Sequence, residues 1–200
     1  TRVQSPYYNF WYVFTKQKSF YVPITLLLIL TLSTGSIFAS KHALPGDALY
    51  PIKLFNEKIE SLSTFDKLSQ LVVQTEHTLT RLSEAEQLTS LGRLNDNLKT
   101  KIENQFETQT EQTLSDLDNL RNDGSIIDAA KMSQRFETSL NEHRKIIDKL
   151  SFSTSTKLQT KNELTSLVSN IQNKIEKTSV IHDLIEEEIA TSSNKEQTKS

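Results

Sequence analysis

The 200-residue chain contains no cysteine. That excludes disulfides, thiolate metal ligands and a cysteine nucleophile. Proline and glycine number only four each, and beyond Pro51 there is no further proline and only Gly92 and Gly124 among glycines. With so few breakers, the long remainder reads as a handful of extended elements jointed at those two glycines. No N-x-S/T sequon is present, so nothing marks a glycosylated surface. The charges nearly cancel, at a formal −2 and a pI near 6.1, which leaves no electrostatic case for a nucleic-acid partner. There is no glycine-rich phosphate loop, no H-E-x-x-H and no G-x-S-x-G. The sequence therefore calls for no catalytic residue, no cofactor and no small-molecule substrate.

Charge is also missing from one whole stretch, Phe20 to Ala39, FYVPITLLLILTLSTGSIFA. At about 1.5 Å of rise per residue, this twenty-mer spans roughly 30 Å as a helix, the thickness of a bilayer's hydrocarbon. Ile24, Leu26, Leu27, Leu28, Ile29, Leu30 and Leu32 each favour insertion by about 0.3–0.6 kcal/mol. Pro23 falls in the first turn, where its missing N–H costs nothing. Residues 20–39 are thus expected to form a transmembrane helix. The rival is a cleaved signal peptide with Lys16 and Lys18 as its basic flank, although Ile37 suits the cleavage site poorly. Arg2, Lys16 and Lys18 precede the stretch with no acid among them, and 20 Lys and Arg against 25 Asp and Glu follow it. Basic flanks stay cytoplasmic, which puts the N-terminus in and the larger C-terminal part out. Tyr7, Tyr8, Phe10, Trp11, Tyr12 and Phe14 make residues 1–19 an aromatic, basic segment suited to the headgroup layer.

Residues 40–63 read as a juxtamembrane turn and short helix. Leu44, Pro45, Gly46, Asp47, Leu49, Tyr50, Pro51 and Lys53 form a dense motif in which Pro-Gly makes a turn, Asp47 caps a helix and Pro51 sits in its first turn. This motif is the candidate hinge or recognition site. The string A-L-P-G-D-A-L-Y-P-I-K at Ala43 to Lys53, followed by Asn56-Glu57-Lys58, resembles a bacterial family of single-pass membrane proteins whose outer helical domain is of unknown function. Arg81-Leu82-Ser83-Glu84-Ala85-Glu86-Gln87-Leu88 is similar to that family's R-L-x-E-A-E-x-L segment. Arg135-Phe136-Glu137 through Leu140 to His143 is similar to its R-F-E-x-x-L-x-x-H segment. The resemblance runs over roughly residues 20 to 178. It implies a bacterial envelope location, a helical fold and, in some relatives, association with anti-sigma-like membrane regulators; it implies no catalytic residues.

Residues 64–190 carry helical spacing. Thr64 is expected to cap a helix over Phe65–Leu91 with Phe65, Leu68, Val72, Leu79, Leu82 and Ala85 on one stripe. Asn95 caps a second, on which Leu98, Ile102, Phe106, Leu114, Leu117 and Leu120 recur until Gly124. Ser125 caps a third, with Ile126, Ala129, Ser133, Phe136, Leu140, His143, Ile147 and Leu150 at heptad spacing. A fourth starts near Ser153 to Ser155 and ends about Ala190, with Leu164, Val168, Ile171, Ile175, His182, Ile185 and Ile189 on its seam; residues 191–200 read as a disordered polar tail. Short connections fold such helices back on one another. The expected fold is all-α: one transmembrane helix, then an elongated antiparallel bundle of about four long helices.

Thr75, Gln109, Ser133 and Thr178 dilute the stripes, which suits a bundle completed by a protein partner or by self-association. His182, Asp183 and Glu186 share a turn but read as a polar seam beside a solvated acidic face, not as metal ligands. His143 reads as packing, His77 as helix surface, and Glu84 and Glu86, two apart, point to different faces. The functional expectation is a binding or sensing module anchored in the bacterial cytoplasmic membrane. The alternatives are an envelope spacer or the outer part of an anti-sigma-like regulator.

Overall fold

Glycine decides where the long helices stop. The computed structural model describes Pro23, Thr25, residues 39–152 and residues 158–197. Its five principal helices are α1 (Tyr50–Ser63), α2 (Lys67–Ser90), α3 (Asp96–Asn122), α4 (Ile126–Ser151) and α5 (Leu158–Gln197). At the end of α2, Arg93 N–H reaches Leu88 O at 2.8 Å and Gly92 N–H reaches Thr89 O at 2.9 Å; Ser125 to Leu120 and Gly124 to Arg121 repeat the pattern after α3. This reversal needs a left-handed residue, and Gly92 and Gly124 supply it at φ +64° and +86°. Both joints expected from the sequence are present.

The helices α2 to α5 form an antiparallel bundle. At ~1.5 Å per residue they run to roughly 36, 40, 39 and 60 Å. The α2–α3 and α4–α5 hairpins make the broadest contacts, and α4 also packs on α2 and α3. Leu71, Leu82, Ile102, Phe106, Leu117, Phe136, Leu140, Ile147, Leu164 and Ile171 form the continuous core. The stripes expected on α3 and α4 face inward, with Leu98, Ile126, His143 and Leu150 at their margins. On α5, Lys174 is buried and binds Glu107 and Glu111 of α3 at 2.5 and 2.6 Å.

Several details differ from the sequence expectation. Phe65 lies outside the α2 stripe and is 95% exposed, because Asp66, not Thr64, caps α2 and accepts Ser69 N–H at 2.9 Å. Thr64 instead returns its hydroxyl to Glu60 O and closes α1. The buried edge of α2 accordingly shifts to Leu71, Thr75, Thr78, Leu82 and Ala85, with Leu68, Val72 and Leu79 beside it. Ser125 precedes α4 without a side-chain capping bond; its carbonyl accepts Ala129 N–H. The last helix continues through Gln197, beyond Ala190, where a polar tail was expected.

Of the diluting residues, Thr75, Ser133 and Thr178 are buried in the bundle and Gln109 is partly covered; the Thr75 hydroxyl and the Gln109 carbonyl oxygen find no hydrogen-bond partner, whereas neighbouring threonines do. Thr78 and Thr113 face each other at 3.1 Å and return their hydroxyls to Gln74 O and Gln109 O; Thr178 bonds to Lys174 O. Short side chains that recycle a carbonyl one turn back can be buried without an outside partner. The transmembrane helix expected over 20–39 and the aromatic segment over 1–19 lie outside the described residues, except for Pro23, Thr25 and Ala39. Among the described residues no helix is long and apolar enough to cross a membrane.

Candidate functional site: a polar clasp under the Ala43–Lys53 segment

The candidate motif folds as a tight loop followed by the first turn of α1. Leu44 N–H donates to Asp47 Oδ2 at 2.8 Å, and Asp47 N–H donates back to Leu44 O at 2.9 Å. Asp47 therefore closes the loop before the helix, and the cap position of α1 falls to Leu49, whose side chain makes no capping bond. This corrects the expected role of Asp47, while Pro51 sits in the first turn as its fixed φ favours. Ala43, Leu44 and Pro45 are buried, and Gly46 lies beside Leu98 of α3. The loop is thus pressed onto the bundle and is not a free linker.

Asp47 Oδ1 also reaches Arg93 at 2.6 Å. That guanidinium, with the Leu44 N–H, holds the Asp47 carboxyl below its ordinary 3.8. A depressed carboxyl contributes stability fully above its unfolded pKa and loses it as pH falls through the folded one. Asp47→Ala is expected to cost about 1 kcal/mol, mostly through the orphaned Leu44 N–H, since the Arg93 arm is half in water. Urea titrations should show the gap between wild type and variant at pH 7 and narrow it as the buffer is taken below pH 3.8, where protonation removes the charge but leaves an acceptor oxygen. A gap unchanged in acid would mean that the carboxylate charge plays no part.

Tyr50 and Lys53, one turn apart, carry the motif into the interior. The Tyr50 ring is 1% exposed, and its hydroxyl lies 3.0 Å from Glu84 Oε2 and 2.9 Å from Gln105 Oε1 while accepting Arg81 Nη1 at 2.5 Å. Lys53 Nζ donates to Glu84 Oε1 at 2.6 Å and to Ala43 O at 3.2 Å. Arg81, fully buried, also donates to Glu57 at 2.5 Å and lies 3.2 Å from Glu84. Two cations, Lys53 and Arg81, thus face two carboxylates, Glu57 and Glu84. Lys101 covers the ring of Tyr50, its Nζ 4.8 Å from the centroid. Burial pushes the Glu84 carboxyl up, against the downward pull of Arg81 and Lys53; burial likewise pushes the Tyr50 phenol up. The hydroxyl therefore stays protonated and remains a donor at neutral pH.

The second of the three strings singled out in the sequence bridges the other two. Arg81 and Glu84 of the second string face the first, and Glu86 faces the third, its Oε1 2.7 Å from His143 Nδ1. Glu84 and Glu86 point to different neighbours, as their spacing required. His77, expected at the surface, is buried against α1, near Glu60 Oε2 at 3.2 Å and Ser61 Oγ at 3.4 Å. His182 meets Ser133 Oγ at 2.9 Å across α4 and α5. Of the eight motif residues, Leu44, Pro45, Tyr50 and Lys53 enter the interior, Asp47 and Leu49 are partly covered, and Gly46 and Pro51 face out. Sequence reasoning missed Arg81, Glu84, Glu57 and Gln105 as members. The available signal was the Arg81–Glu84 pair at i, i+3 beside Leu82 and Ala85, charges set against an apolar stripe.

A family model described as Domain of unknown function (DUF5667) matches residues 42–198. The chain belongs to the DUF5667 family. No curated protein and no solved structure matches it. The DUF5667 match begins at His42, so the clasp loop and every residue named in the clasp fall within the domain. A second feature of this DUF5667 domain is an open groove between α3 and α5 of about 490 Å³, lined by Glu111, Leu114, Ser115, Lys177, Val180 and Ile181. Val180 in that lining is 60% exposed, and Leu184, one turn further along α5, is 48% exposed.

Proposed function

We propose that this chain is a single-pass, membrane-anchored binding or sensing module of the bacterial envelope, with its N-terminus inside, its helical bundle outside and no catalytic role. The observation that carries this reading is the clasp. The segment that follows the uncharged twenty-mer is buried in the bundle through Tyr50 and Lys53, so the chain from Ala43 onward is held to the bundle and is not a loose tether. A partner seated in the α3–α5 groove would then be held close to the membrane. The groove suits the apolar face of a partner helix or of a second copy, with Val180 as its exposed edge.

The absence of cysteine makes the test clean. In intact spheroplasts a membrane-impermeant maleimide is expected to label Ser192→Cys, and to label Ser5→Cys only after permeabilisation. Labelling of both, or of neither, before permeabilisation overturns the orientation. A photo-crosslinking residue at Val180 should give a discrete adduct in cells, whereas one at exposed Ser90 on α2 should give none; equal behaviour at the two sites argues for a spacer without a partner.

A further inference from the structure

The first helix is amphipathic in the wrong sense for a bundle helix. Its inner face is polar, Tyr50, Lys53, Glu57 and Ser61 meeting Arg81, Glu84 and His77. Its outer face is apolar: Phe55, Ile59 and Leu62, spaced four and three apart, are 62%, 47% and 71% exposed, and Phe65 follows at 95%. Nothing in the chain's described residues covers this stripe. Leaving three large side chains in water forfeits about 1.5–3 kcal/mol each relative to burial, which asks for an occupant.

The path of the chain says which occupant. Residues 40–47 run back along α1: Ser40 Oγ accepts from Asn56 Nδ2 at 3.2 Å, and Ala43 O accepts from Lys53 Nζ at 3.2 Å. Ser40 is the residue directly after the uncharged twenty-mer and is bonded to Asn56, which follows Phe55 in the sequence. The half of α1 that carries Phe55, Ile59 and Leu62 therefore lies where residue 40 leaves that twenty-mer. The loop holding Phe65 lies at the same end of the bundle as the α3–α4 turn, because Lys67 contacts Asp123; there Ile127 is another exposed aliphatic at 63%. Exposed Lys58 lies within the stripe, where its stem can cover apolar surface and its ammonium can reach phosphate.

We infer that the outer face of α1 is a lipid-docking surface: Phe55, Ile59, Leu62 and Phe65 seat in the headgroup and upper acyl layer and hold the bundle against the membrane. This rests on the membrane-anchored reading above. A helix lying in the interface buries its apolar face about 5–10 Å deep.

The test uses the full chain with Trp11→Phe, reconstituted in vesicles of phosphatidylcholine and phosphatidylglycerol, with one reporter at a time from Phe55→Trp, Leu62→Trp and Val180→Trp. Lipids brominated near the headgroup should quench the Phe55→Trp and Leu62→Trp reporters about twofold or more and leave Val180→Trp bright, as expected for side chains at that depth. Flotation of the same vesicles reads the anchor separately. Flotation with no quenching at 55 and 62 overturns this inference and leaves the anchor standing; failure to float overturns both. A blue-shifted but unquenched Phe55→Trp reporter also overturns it, and assigns the face to protein, whether a second copy or the twenty-mer itself. All three positions are exposed, and an unchanged helical circular dichroism spectrum confirms that the variants fold.

Discussion

Glu84→Ala is expected to release α1 from the bundle and to cost about 3–5 kcal/mol, the usual penalty for removing one partner from a buried charged group. Glu84 is 1% exposed and meets Lys53, Arg81 and Tyr50 at once. Without it Arg81 keeps Glu57, but Lys53 is left buried with a single carbonyl, Ala43 O. Little apolar surface compensates, because the only large side chain of α1 that is fully buried is Tyr50. Amide exchange in α1 should therefore accelerate by roughly two to three orders of magnitude, at about 1.4 kcal/mol per tenfold. The α4 and α5 amides should keep their protection. The double variant Lys53→Met with Glu84→Leu removes the pair together and should regain most of the loss, since paired buried charges are replaceable by apolar groups of similar size. If α1 stays protected in Glu84→Ala, the clasp does not hold it. The pH sign is the reverse of that for Asp47. Burial raises the Glu84 carboxyl, so it binds its proton more tightly folded than unfolded, and its contribution falls as pH rises through that window.

Phe136→Ala should unfold the bundle from its middle, at a cost of about 3–5 kcal/mol for the lost transfer energy plus the cavity. Phe136 is fully buried on α4, the helix that touches α2, α3 and α5. With a urea slope of about 2 kcal/mol/M, the midpoint should fall by roughly 1.5–2.5 M. Phe65→Ala is the matched control: at 95% exposure it should leave the midpoint within about 0.3 M, since exposed surface changes rarely exceed ±0.5 kcal/mol. Equal shifts in the two variants would mean that the bundle core is not centred where the helices place it.

That contrast also shows how far the sequence could be read. Phe65 and Phe136 both sit at helical spacing from neighbouring apolar residues, and periodicity cannot tell them apart. What separates them is a competition between two adjacent caps: Asp66 takes the Ser69 N–H, Thr64 turns back to Glu60, and Phe65 is stranded between them. The α3 and α4 stripes were legible because Asn95 and Gly124 mark their ends without rivals. The clasp was legible only by halves. Tyr50 and Lys53 stand in a conspicuous motif, but their partners Glu84 and Gln105 are 34 and 55 positions from Tyr50, and nothing local to either reveals the pairing. His77 was misjudged for the same reason, since α1 covers it from outside its own helix.

The wide spacing of the clasp sets an order of events during synthesis. Tyr50 cannot meet Gln105 until 55 further residues have been added, about 3–11 s at roughly 5–20 residues per second. Lys53 and the Tyr50 hydroxyl stay wet, and α1 unclasped, until Glu84 follows 31 and 34 residues behind them, about 2–7 s at the same rate, and Gln105 completes the site later. If the outer face of α1 docks on lipid as proposed, a nascent chain would meet that surface first, and the polar lock would close afterwards over a helix already laid down.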